Sequence, residues 1–166
     1  MKKIVASALF VALIVVTTIF VKIPLATFGY VHLGDAFIFL ACFVLKPKHS
    51  IVVGALGSAL ADLCLGYFIY IPATFVVKAL VALVFAIVVY NKSTLLRQII
   101  SVVICSAIIG GGYFVFEACL YGVTASIVNV PFNLMQGAVC GVVAMLLIKS
   151  FTSIPPLKSF KDSLYS

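Results

Sequence analysis

The residues able to do chemistry in this 166-residue chain are few, and they are spaced with regularity. Within "GSALADLCLGYFIYIPATFVVKAL" (Gly57–Leu80), Asp62 and Lys78 stand among Ala, Leu, Val and Phe. Taking the turn of this stretch near Tyr70, each lies eight residues from it, so an antiparallel helical hairpin puts both at the same depth, roughly 12 Å from the turn at ~1.5 Å per residue. Two readings follow. Asp62 and Lys78 form a structural ion pair, or at least one of them meets a polar ligand, for which Lys78 is the better candidate. A second set is Tyr113, Glu117 and Tyr121 at i, i+4 and i+8, one face of a helix. A third is Asn129, Asn133 and Gln136 at i, i+4 and i+7. With a turn near Ala125, Glu117 and Asn133 also share a depth, and Thr74 lies one turn above Lys78.

The meaning of these residues depends on their solvent. Hydrophobic residues make up 65% of the chain and charged ones 9%, with a mean hydropathy of +1.35. Soluble domains carry about 25% charged residues, so this composition requires a lipid environment. A charge in the hydrocarbon costs at least ~2.5–3.5 kcal/mol on insertion scales and demands a partner or a polar cavity. Interhelical hydrogen bonds, commonly worth about 1 kcal/mol or less, explain any one of these polar residues. Their gathering at one depth fits better a concave, aromatic-lined pocket with a few directed polar groups, the usual site for a small heterocyclic ligand.

The elements that must position these groups are apolar runs of near-spanning length. Helices are expected at Ile4–Val21, Gly34–Leu45, Ser50–Tyr67, Pro72–Tyr90, Gln98–Tyr121 and Val128–Ile148. The second is short, hence steeply sloped or extended at its ends. The fold class is thus an all-α integral membrane protein, a compact bundle of six transmembrane helices. Residues 1–150 form the transmembrane domain, and 151–166, with Pro155 and Pro156, a short polar surface tail. The N-terminal run resembles a signal peptide, but it is too long and lacks a small-residue cleavage site, so a retained first helix is expected. With the N-terminus inside, nine of the eleven Lys and Arg residues fall on cytoplasmic segments, leaving only Lys22 and Lys78 elsewhere. Both termini are then cytoplasmic.

Several functions are disfavoured. The net charge of +7 is scattered in singles and pairs near segment ends, a topology signal and no phosphate-binding face. The five cysteines lack CxxC spacing and read as packing residues. His32 and His49 fall on opposite sides of the membrane, no HExxH occurs, and no metal site or catalytic residue is expected. Gly110–Gly112 is no phosphate loop and either loosens or closely packs the fifth helix. Ala8 and Ala12, like Gly54 and Ser58, form small-xxx-small pairs that admit a close helical neighbour. A stand-alone proton- or cation-coupled carrier using Asp62 or Glu117 is the competing reading; with six helices and no evident repeat it would need an oligomer.

The stretches "GYVHLGDAFIFLACFVL" and "GALGSALADLCLGYFIYIPATFVVKAL", followed by the polar pairs above, resemble the substrate-binding S component of energy-coupling factor (ECF) vitamin transporters. The resemblance runs across all six helices and is sharpest over Gly29–Leu80. It implies a vitamin pocket opening outward, made mainly by helices four to six, with the first outer loop as a lid. On that basis Lys78, Thr74, Tyr113, Glu117, Tyr121, Asn129, Asn133 and Gln136 are the substrate-binding candidates, and Asp62 and Asp35 the structural or ion-pairing acids. It further implies a scaffold membrane subunit, contacted through Ala8 and Ala12, and two cytoplasmic ATPases that alone use ATP, in the plasma membrane of a prokaryote. The S component itself binds and delivers its ligand by toppling in the membrane and is no enzyme. Tryptophan is absent, so stacking falls to Tyr and Phe. One acid and one lysine in the pocket suit a thiamin-precursor pyrimidine or a vitamin B6 compound, with riboflavin the alternative.

Overall fold

The computed structural model describes residues 1–25 and 29–164. Helix α1 (Lys2–Phe20) leads into a short antiparallel hairpin of β1 (Lys22–Pro24) and β2 (Tyr30–His32), then α2 (Gly34–Val44) and α3 (Pro47–Leu65). A 3-10 turn at Phe68–Tyr70 joins α3 to α4 (Ile71–Val89), followed by α5 (Leu95–Tyr121), α6 (Val123–Ile127), α7 (Val130–Ser153) and α8 (Pro155–Ser163). The six helices expected from hydropathy correspond to α1, α2, α3, α4, α5 and α7. Among the described residues, five helical stretches are long and apolar enough to cross a membrane. At 11 residues α2 is too short for that.

Neighbouring helices close a ring in the order α1, α3, α4, α5, α7, α2, and α2 also touches α3 and α4. All residues of α2 except Phe37 are buried. A helix apolar on every side belongs in a core, and here protein, not lipid, surrounds it. The space that a longer helix would fill is taken by the hairpin. A two-stranded hairpin is marginal alone, and this one is held by its bonds to the bundle described below. The tip of the expected lid, residues 26–28, lies outside the described residues.

Close approach is set by small residues. A Cβ on Gly137 would stand 2.5 Å from Ser106 Oγ and 2.7 Å from its Cα, and one on Gly141 would meet Val102 at 2.3 Å, so α5 and α7 cross at a Gly-xxx-Gly pair. Of the three consecutive glycines, Gly110 and Gly112 face Leu134 and Val77, while Gly111 has nothing within 4 Å. The run therefore packs an unbroken α5. Gly66 (φ +80°) closes α3 in the left-handed conformation that glycine adopts without strain.

The tail, expected to be a surface extension, forms a helix with no buried residue within it. It folds as α8 and tucks beneath the end of α2: Lys161 Nζ lies 3.5 Å from the Phe43 ring centroid, and Leu164 is 1% exposed. Half-buried Leu157 and buried Leu164 give the polar segment apolar surface with which to dock. Cys42, Cys105 and Cys140 are buried packing residues, as expected; Cys64 and Cys119 are exposed, and all five are free.

Candidate functional site

The hairpin end of the bundle encloses a polar cavity. β2 brings Tyr30 and His32, α3 brings Ser58 and Asp62, α4 Thr74, α5 Tyr113 and Glu117, and α7 Asn133 and Gln136. Each helix delivers its groups from one or two turns below its hairpin-side end. The free space between these side chains is ≈ 20 Å³, about room for one water. Above it, at the surface, a larger hollow of ≈ 540 Å³ is lined by Pro24, Tyr67, Phe68 and Tyr121. Leu25, Gly29 and Tyr70 line both and form the partition. Aromatic rings run along it, Tyr30 to Tyr67 at 4.8 Å, Tyr67 to Tyr70 at 6.1 Å and Tyr70 to Tyr113 at 6.5 Å between centroids.

The pairing of charges differs from the expectation that Asp62 and Lys78 neutralise each other. Lys78 Nζ donates to Asp35 Oδ2 at 2.7 Å, both side chains being wholly buried. Asp62 Oδ1 instead accepts from the Tyr30 hydroxyl at 2.5 Å. Depth was the right criterion but not sufficient. The central position of α2 puts Asp35, in its first turn, against α4, while the hairpin reaches over α3. Gln136 Nε2 also donates to Asp35 Oδ2 (2.7 Å), and its Oε1 accepts from the His32 backbone N–H (3.0 Å). His32 Nδ1 accepts from Gly34 N–H at 3.0 Å and lies 3.2 Å from Thr18 Oγ1. The ion pair, Gln136 and the hairpin thus form one network linking α1, α2, α4, α7 and β2.

Two further groups complete the walls. Glu117 accepts from the Tyr70 hydroxyl (3.2 Å) and from Asn129 Nδ2 (2.9 Å), tying α5 to the turn before α4 and to the start of α7. The Thr74 and Tyr113 hydroxyls lie 3.1 Å apart. Of the eight substrate-binding candidates, Thr74, Tyr113, Glu117, Asn133 and Gln136 line the cavity. Lys78 is behind the wall, Asn129 is buried against Glu117, and Tyr121 belongs to the outer hollow. Asp62, expected to be structural, lines the cavity itself. Tyr30, His32, Ser58 and Tyr70 are lining residues that sequence reasoning missed. The "GYVH" and "FIYIP" stretches carried the signal for three of them, since their aromatic and polar content exceeds what a bare turn needs. Ala8 and Ala12 are exposed on the side of α1 away from buried Phe10 and Ile14.

Comparison with known proteins bears on the whole chain. Residues 1–153 match the model of a family described as "ECF-type riboflavin transporter, S component". A solved structure described as "Structure and mechanism of the S component of a bacterial ECF transporter" superposes with a TM-score of 0.70, covering 92% of this chain and 96% of that one at 22% identity. At that identity the likeness is one of fold. A protein of Pyrococcus woesei described as "Uncharacterized protein in gap 3'region" is 28% identical over 131 residues, 78% of this chain and 87% of its own length.

Proposed function

Because the chain belongs to the ECF-type riboflavin transporter S component family, we propose that it captures riboflavin at the hairpin end, from outside the cell, and passes it inward with an ATP-driven coupling module. The observation that carries this reading is the cavity itself: polar groups from four helices converge under a hairpin tied down by Tyr30–Asp62 and His32–Gln136. In this reading Thr74, Tyr113, Glu117, Asn133 and Gln136 face the ligand, and Tyr30 and Tyr70 supply stacking surface. Lys78 and Asp35 hold the wall, Asn129 orients Glu117, and Tyr121 meets ligand on its way in. The ≈ 20 Å³ of free space does not admit a fused ring system, so the hairpin and the Tyr70 partition swing aside on binding.

A thiamin-precursor pyrimidine or a vitamin B6 compound is the second reading, favoured by that same small volume, which a single ring would enlarge less. In either case the termini lie in the cytoplasm, where nine of eleven basic residues would gather, and the membrane is the plasma membrane of a prokaryote. The exposed Ala8–Ala12 strip of α1 supports contact with a scaffold membrane subunit, which in turn engages two ATPase subunits. ATP hydrolysis belongs to those subunits. Uptake of labelled riboflavin by cells expressing this chain with and without the coupling subunits tests the reading. It expects uptake only with them, its loss in Ala8→Trp/Ala12→Trp, and ligand binding retained in that variant. Uptake by the chain alone, driven by a pH gradient, would replace this reading with a proton-coupled carrier.

A further inference from the structure

Most buried polar atoms around the cavity have partners, but two on α3 do not. Among the described residues, Ser58 Oγ and Asp62 Oδ2 have no hydrogen-bond partner within bonding geometry, although Ser58 is 2% and Asp62 3% exposed. A helical serine in an apolar setting ordinarily donates to the carbonyl one turn back. Ser101, Ser106, Ser126 and Ser150 all do so here, at 2.7–3.0 Å. Ser58 does not, and its residue lines the cavity. The Thr74 hydroxyl lies beside Asp62 and 3.1 Å from the Tyr113 hydroxyl, and either of the two hydroxyls can donate to the other. An unsatisfied buried polar group costs about 1–3 kcal/mol, and here two stand one helical turn apart on the same face of α3, both at the cavity.

Resting on the riboflavin reading, we infer that Ser58 and Asp62 form the subsite for the hydroxylated chain of the ligand. Asp62 Oδ2 accepts from one hydroxyl, and Ser58 Oγ exchanges a hydrogen bond with another. Two polar atoms separated by a helical turn suit a flexible chain bearing several hydroxyls, which can reach both. A flat ring edge carrying one polar atom reaches one. The ring system then falls on the opposite wall, toward Tyr113, Asn133 and Gln136. Helix α3 thereby selects the ligand's polyol end, a role that Tyr30 on the other carboxylate oxygen holds in register.

The test compares riboflavin with lumiflavin, which keeps the ring system but carries a methyl group in place of the hydroxylated chain, on the purified full-length chain. Ser58→Ala is expected to weaken riboflavin binding roughly five- to tenfold, the value of one hydrogen bond, and to leave lumiflavin binding unchanged. The unliganded variant unfolds at the same or a higher temperature, because a group without a partner has been removed. Asp62→Asn, whose amide is a weaker acceptor than a carboxylate, is expected to weaken riboflavin more than lumiflavin. Equal loss for both flavins, or no loss for either, overturns the subsite and leaves the riboflavin reading standing. Failure of the unsubstituted chain to bind either flavin overturns the riboflavin reading, and the subsite with it.

Discussion

Lys78 Nζ stands 2.7 Å from Asp35 Oδ2, and neither side chain has any exposed surface. The pair joins the central short helix to α4 at the depth of the cavity floor, and Gln136 extends it to α7 and the hairpin. Tyr113 adds its ring face, 5.4 Å from the ammonium. Taking one partner away leaves the other charge buried and unpaired, at a cost of about 3–5 kcal/mol. Lys78→Met is therefore expected to lower the unfolding temperature sharply even without ligand, and Lys78→Met combined with Asp35→Leu to recover most of the loss. Thermal unfolding of both in detergent decides the matter. If the double variant were no more stable than the single one, the pair would not be the unit described.

Tyr30 is the hairpin's tie to α3. Tyr30→Phe removes the hydrogen bond that Asp62 Oδ1 accepts from the hairpin. Dissociation of bound vitamin is expected to accelerate by roughly tenfold, the scale of a hydrogen bond to a charged group, while association changes little. Stopped-flow kinetics separates the two rates, and an unchanged dissociation rate would remove the hairpin from the role of lid.

Glu117 and Asn133 face the same cavity but do different work. Glu117 holds Tyr70 and Asn129, so Glu117→Ala is expected to lower both unliganded stability and affinity. Asn133→Ala is expected to weaken binding by roughly tenfold, the value of one or two direct hydrogen bonds, with the unliganded unfolding temperature nearly unchanged. Paired titration and melting curves distinguish them. A large stability loss in Asn133→Ala would make it a structural residue.

The α5–α7 crossing gives a packing control. Gly137→Val drives a side chain into Ser106, where even a Cβ stands 2.7 Å from the Cα, and is expected to abolish monodisperse protein. Gly111→Ala, with nothing within 4 Å, is expected to behave as the natural chain or better, since alanine favours the helix. Size-exclusion profiles of the two report on this directly. Aggregation of Gly111→Ala would mean that this face is occupied in the folded protein.

Hydropathy and turn counting gave the helices and a common depth for Glu117 and Asn133, because spacing along a helix converts directly into height, but they put Thr74 a turn above Asp62, with which it shares the cavity. They could not give the angular neighbours. Lys78 met Asp35 and not Asp62 because α2, besides closing the ring between α7 and α1, also packs against α4, and no periodicity in an all-apolar helix says which neighbours surround it. The hairpin was likewise out of reach: three-residue strands carry too little pattern, and their pairing is secured by distant contacts such as His32 with Gln136. Ser58 read as half of a small-xxx-small pair with Gly54. Only Gly54 packs that way, against Ile38 and Ala82; Ser58 turns to the cavity. The tail escaped notice because its docking depends on single residues, Lys161 and Leu164, rather than on a stripe.

Equilibrium titration of the purified chain with riboflavin, in detergent and without ATP or any other subunit, tests the central claim most directly. The account predicts saturable binding of one riboflavin per chain, weakened by Asn133→Ala and unaffected by Ala8→Trp/Ala12→Trp. No binding of riboflavin, or binding that Asn133→Ala leaves untouched, would contradict it.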